Sequence, residues 1–212
     1  FQALVLGLYL ADFSYTLLYN DFNQSAKYLE VIKALSDNIG VGGIYNERFF
    51  SRLEANINNI DSLKSVFNDF SENSFNTVGE SGNNEILSLI SMGVSIESIY
   101  LGYNVCKTES FEKSLKPFFI EQRMVFENFY QNYINYNGNK KDLEAFNTSL
   151  SSFYSLFKLN IWLMVDKNNI SKTDSIISMD VKYIVKTNNE NINELGKSIC
   201  KLRETFINLS QQ

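Results

Sequence analysis

Residues 2–20 read Gln2-Ala3-Leu4-Val5-Leu6-Gly7-Leu8-Tyr9-Leu10-Ala11-Asp12-Phe13-Ser14-Tyr15-Thr16-Leu17-Leu18-Tyr19-Asn20. Apolar side chains fall on almost every face of this run, and it is too long for a strand. That combination predicts a helix buried in the middle of a bundle, with Asp12 as its lone charge. A second run of the same character extends from about Glu85 to Lys107. One of its stripes holds Leu89, Met92, Ile96, Ile99, Tyr103 and Cys106; the other holds Ile86, Ile90, Gly93, Glu97, Tyr100 or Leu101, and Asn104. A helix apolar on both sides belongs at the centre. The expected fold class is therefore mainly α: one domain, residues 1–212, with seven to eight helices around a central pair.

Around that pair the helical period repeats. Ala26, Leu29, Val31, Ile32 and Leu35 mark a helix over about Asn23–Asn38, and Gly40 stands where a left-handed cap is wanted. Phe49, Leu53 and Ile57 mark a third over Tyr45–Asn58. Asp61 is read as the cap of a fourth, with Leu63, Val66, Phe67 and Phe70 inward. Gly79–Asn84 reads as a loop. Pro117, which lacks an N–H, opens a sixth helix with Phe119, Gln122, Phe126, Phe129 and Tyr133 at helical spacing. A seventh, Asp142–Lys158, carries Leu143, Phe146, Leu150, Phe153 and Phe157. From Leu159 the period changes to two, through Leu159, Ile161, Leu163 and Val165, and again at Ile177, Met179, Val181, Tyr183 and Val185. This predicts a long-looped β-hairpin inserted at about 159–186. A last helix, Asn189–Leu209, is seamed by Ile192, Leu195, Ile199, Leu202, Phe206 and Leu209, with Thr187/Glu190 or Asn191/Glu194 as a capping box.

Composition narrows function by exclusion. The 212 residues are 44% hydrophobic and 14% aromatic, with 10 Gly and one Pro, which is neither disordered nor fibrous. Twenty-four acidic against 19 basic side chains, a net charge of −5, argue against a nucleic-acid partner. With no histidine, the commonest general base and metal ligand is missing, so no Ser/His or Cys/His catalytic system exists. Cys106 and Cys200 have no metal-binding spacing; they read as packed thiols, or as a structural disulfide in an oxidising compartment. The segment starting at Asp166-Lys167-Asn168-Asn169 begins like a calcium loop, but Ile170 stands at position five, Ser171 at the glycine position and Ile177 in place of the bidentate glutamate at position twelve. No metal or cofactor is expected.

Asp12 and Glu97 are the residues to watch, because an unpaired carboxylate in an apolar helix costs several kcal/mol. They are either anchors satisfied by neighbours or two acids converging on a pocket. Their partners are to be sought among Lys or Arg side chains, Tyr hydroxyls or exposed backbone at a helix end, with Gln122 and Arg123 as candidates. Tyr15 and Tyr100, with Tyr9, Tyr19 and Tyr103, are read either as core or as the wall of a ligand cavity. The candidate ligand-binding set is thus Asp12, Tyr15, Glu97, Tyr100, Gln122 and Arg123, with no catalytic residue assigned.

Three stretches carry a resemblance. Gly7-Leu8-Tyr9-Leu10-Ala11-Asp12-Phe13-Ser14-Tyr15 resembles the Gly-x-Tyr-x-Ala-Asp-x-x-Tyr opening of an uncharacterised group of helical envelope proteins of Gram-negative bacteria, many described as lipoproteins. Tyr28 to Gly40 is similar to that group's second helix. Gly93 to Leu101 resembles its Gly-Gly-Trp-Ile-Glu-Gly-Leu-Tyr-Leu run, keeping Gly93, Ile96, Glu97, Tyr100 and Leu101, with Val94 and Ser95 departing from it. The resemblance implies an exported protein, periplasmic or outer-membrane-anchored, tied to a membrane only through a lipidated cysteine upstream of Phe1. The apolar run Ala3–Ala11 is too short to span a bilayer and lacks the features of a secretory signal. The expected function is non-enzymatic: a structural or interaction domain whose partner is a protein or a small apolar ligand. The rivals are a hydrolase-like or cation-dependent activity using Asp12 and Glu97, and a cytoplasmic adaptor. The exposed hairpin edge is a surface for strand addition, unless Lys182 and Lys186 merely guard it.

Overall fold

The computed structural model describes residues 1–42, 47–56, 59, 61–63, 65–66, 69, 82–108, 111–165, 170–173, 176–179 and 183–210, with the strands described as backbone alone. The chain is mainly helical. Helix α1 spans Gln2–Leu18, α2 Phe22–Asn38, α3 Glu47–Ala55, α4 Asn84–Cys106, α5 Lys116–Asn137, α6 Glu144–Asn160 and α7 Asn189–Ser210. Residues 61–63 and 65–66 are helical as well. A π-turn, Phe111–Leu115, leads into α5, and a 3-10 turn, Lys141–Leu143, leads into α6.

Local chemistry sets the ends. Asp21 caps α2 by accepting the Gln24 amide at 3.1 Å, and Gly40, just past its end, takes φ +75° as expected. Pro117 lies in the first turn of α5. Two expected caps are replaced by neighbouring asparagines. Asn59, not Asp61, accepts the Ser62 amide at 3.0 Å, and Asn188, not the Thr187 or Asn191 pairings, accepts the Asn191 amide at 2.9 Å. In each case a shorter register places the asparagine oxygen three residues ahead of a free N–H.

The most extensive packing joins α1 to α4, as the two all-round apolar runs require. Their backbones touch where Gly7 meets Gly93. A Cβ on Gly7 would strike the Ile90 carbonyl oxygen and lie 2.7 Å from the Val94 nitrogen and 2.9 Å from the Gly93 Cα. One on Gly93 would strike the Leu4 carbonyl oxygen and lie 3.1 Å from the Gly7 Cα. Only hydrogen fits between these surfaces. Helix α2 folds back on α1, joined by the buried Thr16–Ser25 hydroxyl bond of 2.8 Å and the Tyr9–Tyr28 ring contact.

The opposite solution holds α5 to α6, where aromatic rings fill the gap. Tyr133 meets Phe146, Phe126 meets Phe153 and Phe119 meets Phe157, each edge to face at 5.3–6.0 Å, in the register of antiparallel helices. Phe146 also reaches Phe206 of α7, whose seam Ile192, Leu195, Ile199, Leu202 and Phe206 is buried throughout. Helix α5 packs on α4 through Phe118 against Gly102 and through a 2.8 Å bond from buried Asn137 to Ser88.

The strand region departs in detail from the expected single hairpin. Helix α6 continues through Leu159 and Asn160, so the period-two pattern begins inside the helix. Four strands follow in two antiparallel pairs: β1 (Trp162–Val165) with β4 (Tyr183–Lys186), and β2 (Ile170–Thr173) with β3 (Ile176–Met179). Ile177 therefore pairs with Lys172 and not with the first strand. Phe67, Phe70, Ile57, Tyr45, Gly79 and the calcium-like residues 166–169 lie outside the described residues.

Helix α4 is 23 residues long, and its most apolar window has a mean hydropathy of 1.4, enough by length and composition to cross a membrane. Within the bundle 56% of that window is buried, which is how a core helix meets the same measure.

The Gly7–Gly93 contact yields a prediction of sign. At an ordinary helix position Gly→Ala stabilises by up to about 1 kcal/mol. Gly7→Ala and Gly93→Ala are each expected to destabilise by about 2–3 kcal/mol, because a backbone carbonyl cannot move aside as a side chain can. Urea unfolding of the two variants checks this.

Candidate functional site

The glycine contact also decides where the two lone acids go. Asp12 stands five residues past Gly7 and Glu97 four past Gly93. Because α1 and α4 leave their crossing in the same direction, both acids arrive at one level, close enough for their carboxyl groups to share a hydrogen bond once one of them carries a proton. The Glu97 side chain has no solvent exposure. Its Oε2 accepts a 2.6 Å charge-assisted bond from Nε of Arg203, which α7 delivers from the far end of the sequence. The Arg203 guanidinium lies 4.3 Å from the centre of the Tyr100 ring, so it is flanked by a carboxylate and a π face. Helix α7 is aligned by Gly196, which sits directly against the Tyr103 ring. Three helices thus meet at one cluster of Asp12, Glu97, Arg203 and Tyr100.

The electrostatics follow from depth. Desolvation pushes the Glu97 carboxyl up to about 7, against the opposing pull of Arg203, and Asp12 adds to the rise. Asp12 is raised as well, again chiefly by burial, with Arg203 opposing. Glu97 Oε1 has no N–H or O–H donor of its own. Two carboxyl groups can hydrogen-bond only if one keeps its proton, and the more deeply buried Glu97 is the one that keeps it.

A second polar cluster lies on the α5–α6 seam. Arg123 is buried and pairs with Glu127 at 2.5 Å, and its guanidinium lies over the Tyr154 and Phe157 rings. Glu127 also accepts the Tyr154 hydroxyl and, at 3.2 Å, the Gln131 amide. Burial works to raise the Glu127 carboxyl, but these donors outweigh it and hold the group below its ordinary range. Tyr154 stacks on Tyr130 at 3.8 Å.

The expected set of six residues is thus divided. Asp12, Glu97 and Tyr100 come together. Arg123 does not serve them: it is taken by Glu127, one helical turn along α5. Gln122 lies half-buried beside Arg123, and the cation that the acids use is Arg203. Tyr15 meets Tyr19 in a tilted contact at 4.6 Å near the end of α1, Tyr9 meets Tyr28, and Tyr103 meets Phe119 at 6.1 Å, so the tyrosines go to separate neighbours. Cys106 and Cys200 are half-buried thiols. Burial raises the Cys200 thiol, the reverse of what a nucleophile needs. Among the described residues, no group of three or more acids or cysteines converges as metal ligands do.

No family model, no curated protein and no solved structure matches this chain.

Chemically, the cluster can hold a proton and an ion pair, and it presents neither a nucleophile nor an exposed acid. Arg203→Ala, which strands Glu97 without its cation, is expected to cost about 3 kcal/mol at pH 8 and less at pH 5, where protonated Glu97 carries no charge. Arg203→Lys should recover part of the loss. Denaturant midpoints at the two pH values measure both.

Proposed function

We propose that this chain is a non-enzymatic helical domain of the bacterial cell envelope, acting as a structural or interaction component or holding a small apolar ligand. The observation that carries this reading is the closure of the acid cluster. A substrate or attacking water would have to reach a Glu97 side chain with no exposure, past an Arg203 that is itself only 24% exposed and already bonded to it. A site built for catalysis keeps its acid within reach of the reacting atoms; this one commits the acid to a neighbouring helix.

The resemblance of the segments around Gly7–Tyr15, Tyr28–Gly40 and Gly93–Leu101 to helical envelope lipoproteins supports export and a lipid anchor upstream of Phe1. The net charge of −5 supports a partner other than nucleic acid. The strands between α6 and α7 enter the same reading as two antiparallel pairs, β1–β4 and β2–β3, offered as a surface for strand addition.

Expression of the full-length gene with labelled palmitate tests the location. Label incorporation and recovery in the membrane fraction are expected. An unlabelled protein in the cytoplasmic fraction would replace the envelope reading with that of a cytoplasmic adaptor.

A further inference from the structure

The sequence has no histidine, so no side chain with an ordinary pKa changes charge between about pH 5 and 8. Any response of the fold in that interval has to come from a group whose surroundings have moved it there. The junction of α1, α4 and α7 contains such a group.

The geometry is specific. Glu97 is wholly buried, one oxygen is fixed by Arg203 at 2.6 Å, and the other has no donor of its own. The charged groups that face it are Asp12 from α1 and Arg203 from α7, with the Tyr100 phenol on its own helix beneath the guanidinium. Helix α5 packs on α4 on either side of Glu97, with Phe118 and Phe119 against Gly102 and Tyr103 and Asn137 against Ser88, and none of its charges is among those acting on Glu97. Cys200, one turn before Arg203, is raised by burial and stays a thiol across the interval.

With one proton between the two acids, the cluster carries Asp12 negative, Glu97 neutral and Arg203 positive, a net charge of zero. Glu97 then donates its O–H to Asp12 and accepts from Arg203, so both of its oxygens are used. When hydroxide or buffer base removes that proton, the O–H···O bond is lost and two carboxylates share one guanidinium in a space that admits no water to Glu97. The surplus negative charge is buried, and the way to relieve it is to separate the helices that bury it.

We propose that Asp12 and Glu97 form a proton-binding site that couples protonation to the docking of α7 on the α1–α4 pair, tight when the proton is bound and looser when it leaves. The direction follows from linkage. Burial places the Glu97 carboxyl at about 7 in the folded chain, above its ordinary 4.5. Its contribution is therefore complete below about pH 4.5 and is lost as pH rises through about 7. The folded-to-unfolded ratio is expected to fall on the order of a hundredfold across this window, because the ratio changes about tenfold for each pH unit that separates the folded carboxyl from the unfolded one. The inference does not depend on where the protein resides, so it stands or falls separately from the envelope reading.

Two measurements on the intact chain test it. Carbon-13 NMR of glutamate carboxyls from pH 4 to 9 should show one group titrating near 7, absent in Glu97→Gln; all glutamates titrating below about 5.5 would overturn the proposal. Hydrogen exchange, corrected for intrinsic rates, should show α7 amides between 196 and 206 losing at least tenfold protection from pH 5.5 to 8.5 in the natural chain. Glu97→Gln, whose amide donates to Asp12 and whose oxygen accepts from Arg203, should hold α7 protection constant. Unchanged protection in the natural chain, or an equal loss in Glu97→Gln, would refute the coupling. If Glu97→Gln does not fold, the carboxyl titration of the natural chain decides alone.

Discussion

Everything in this fold is referred to the place where α1 and α4 touch backbone to backbone. Gly7 and Gly93 remove the side chains that would hold two helices a ring's width apart, and the carbonyls of Leu4 and Ile90 occupy the space. A contact this close fixes the axial level of each helix to a fraction of a turn, since a slip would drive a Leu or Ile side chain into a peptide group. It is this level that brings Asp12 beside Glu97. Had α1 been displaced by one turn, Asp12 would no longer stand beside Glu97, and Arg203 would be left with Glu97 as its one carboxylate.

The other helix pairs work from the opposite premise. Rings on α5 and α6 interleave along the seam, and the helices stay a full aromatic layer apart. Small residues at the centre and large ones around it make a bundle whose middle is dense and specific. Polar groups sit where the two regimes meet: the Asp12–Glu97–Arg203 cluster against the central pair, and Arg123–Glu127–Tyr154 on the aromatic seam. Each arginine is tucked against rings, which suits a planar, weakly hydrated cation better than a lysine ammonium.

Much of this was legible in the sequence because it is periodic. The inward residues of α5, α6 and α7 recur at three and four, and the structure buries them, with Gln122, Phe129 and Leu209 only half covered. The two oily runs announced a central pair, and the need of Asp12 and Glu97 for neighbours followed from the cost of burying charge. Their true cation was not legible, because it lies 106 positions from Glu97 and no local spacing encodes a tertiary contact. Arg123 was the nearer guess and was drawn to Glu127 by simple i, i+4 proximity. One signal was present: the chain has only four arginines among its 19 basic residues, and Arg203 stands beside the apolar seam of a helix whose other cations are lysines. The strand region departs by two residues at the end of α6, since Leu159 fits either period when read alone, and by forming two strand pairs, since alternation alone does not choose a strand's partner.

The parallel course of α1 and α4 has a consequence for how the chain is made. Two helices that run the same way cannot be joined by a short turn, and here more than sixty residues intervene. Helix α1 is strongly oil-like, and its own partner emerges from the ribosome only after α2 and α3. The counter-ion for the acids comes later still, with α7. Until then an apolar rod carrying a charge lacks its docking surface, the condition under which nascent chains recruit chaperones or self-associate. Close packing at the centre is thus obtained through contacts distant in sequence, and the acid cluster is complete only once α7 has returned to the central pair.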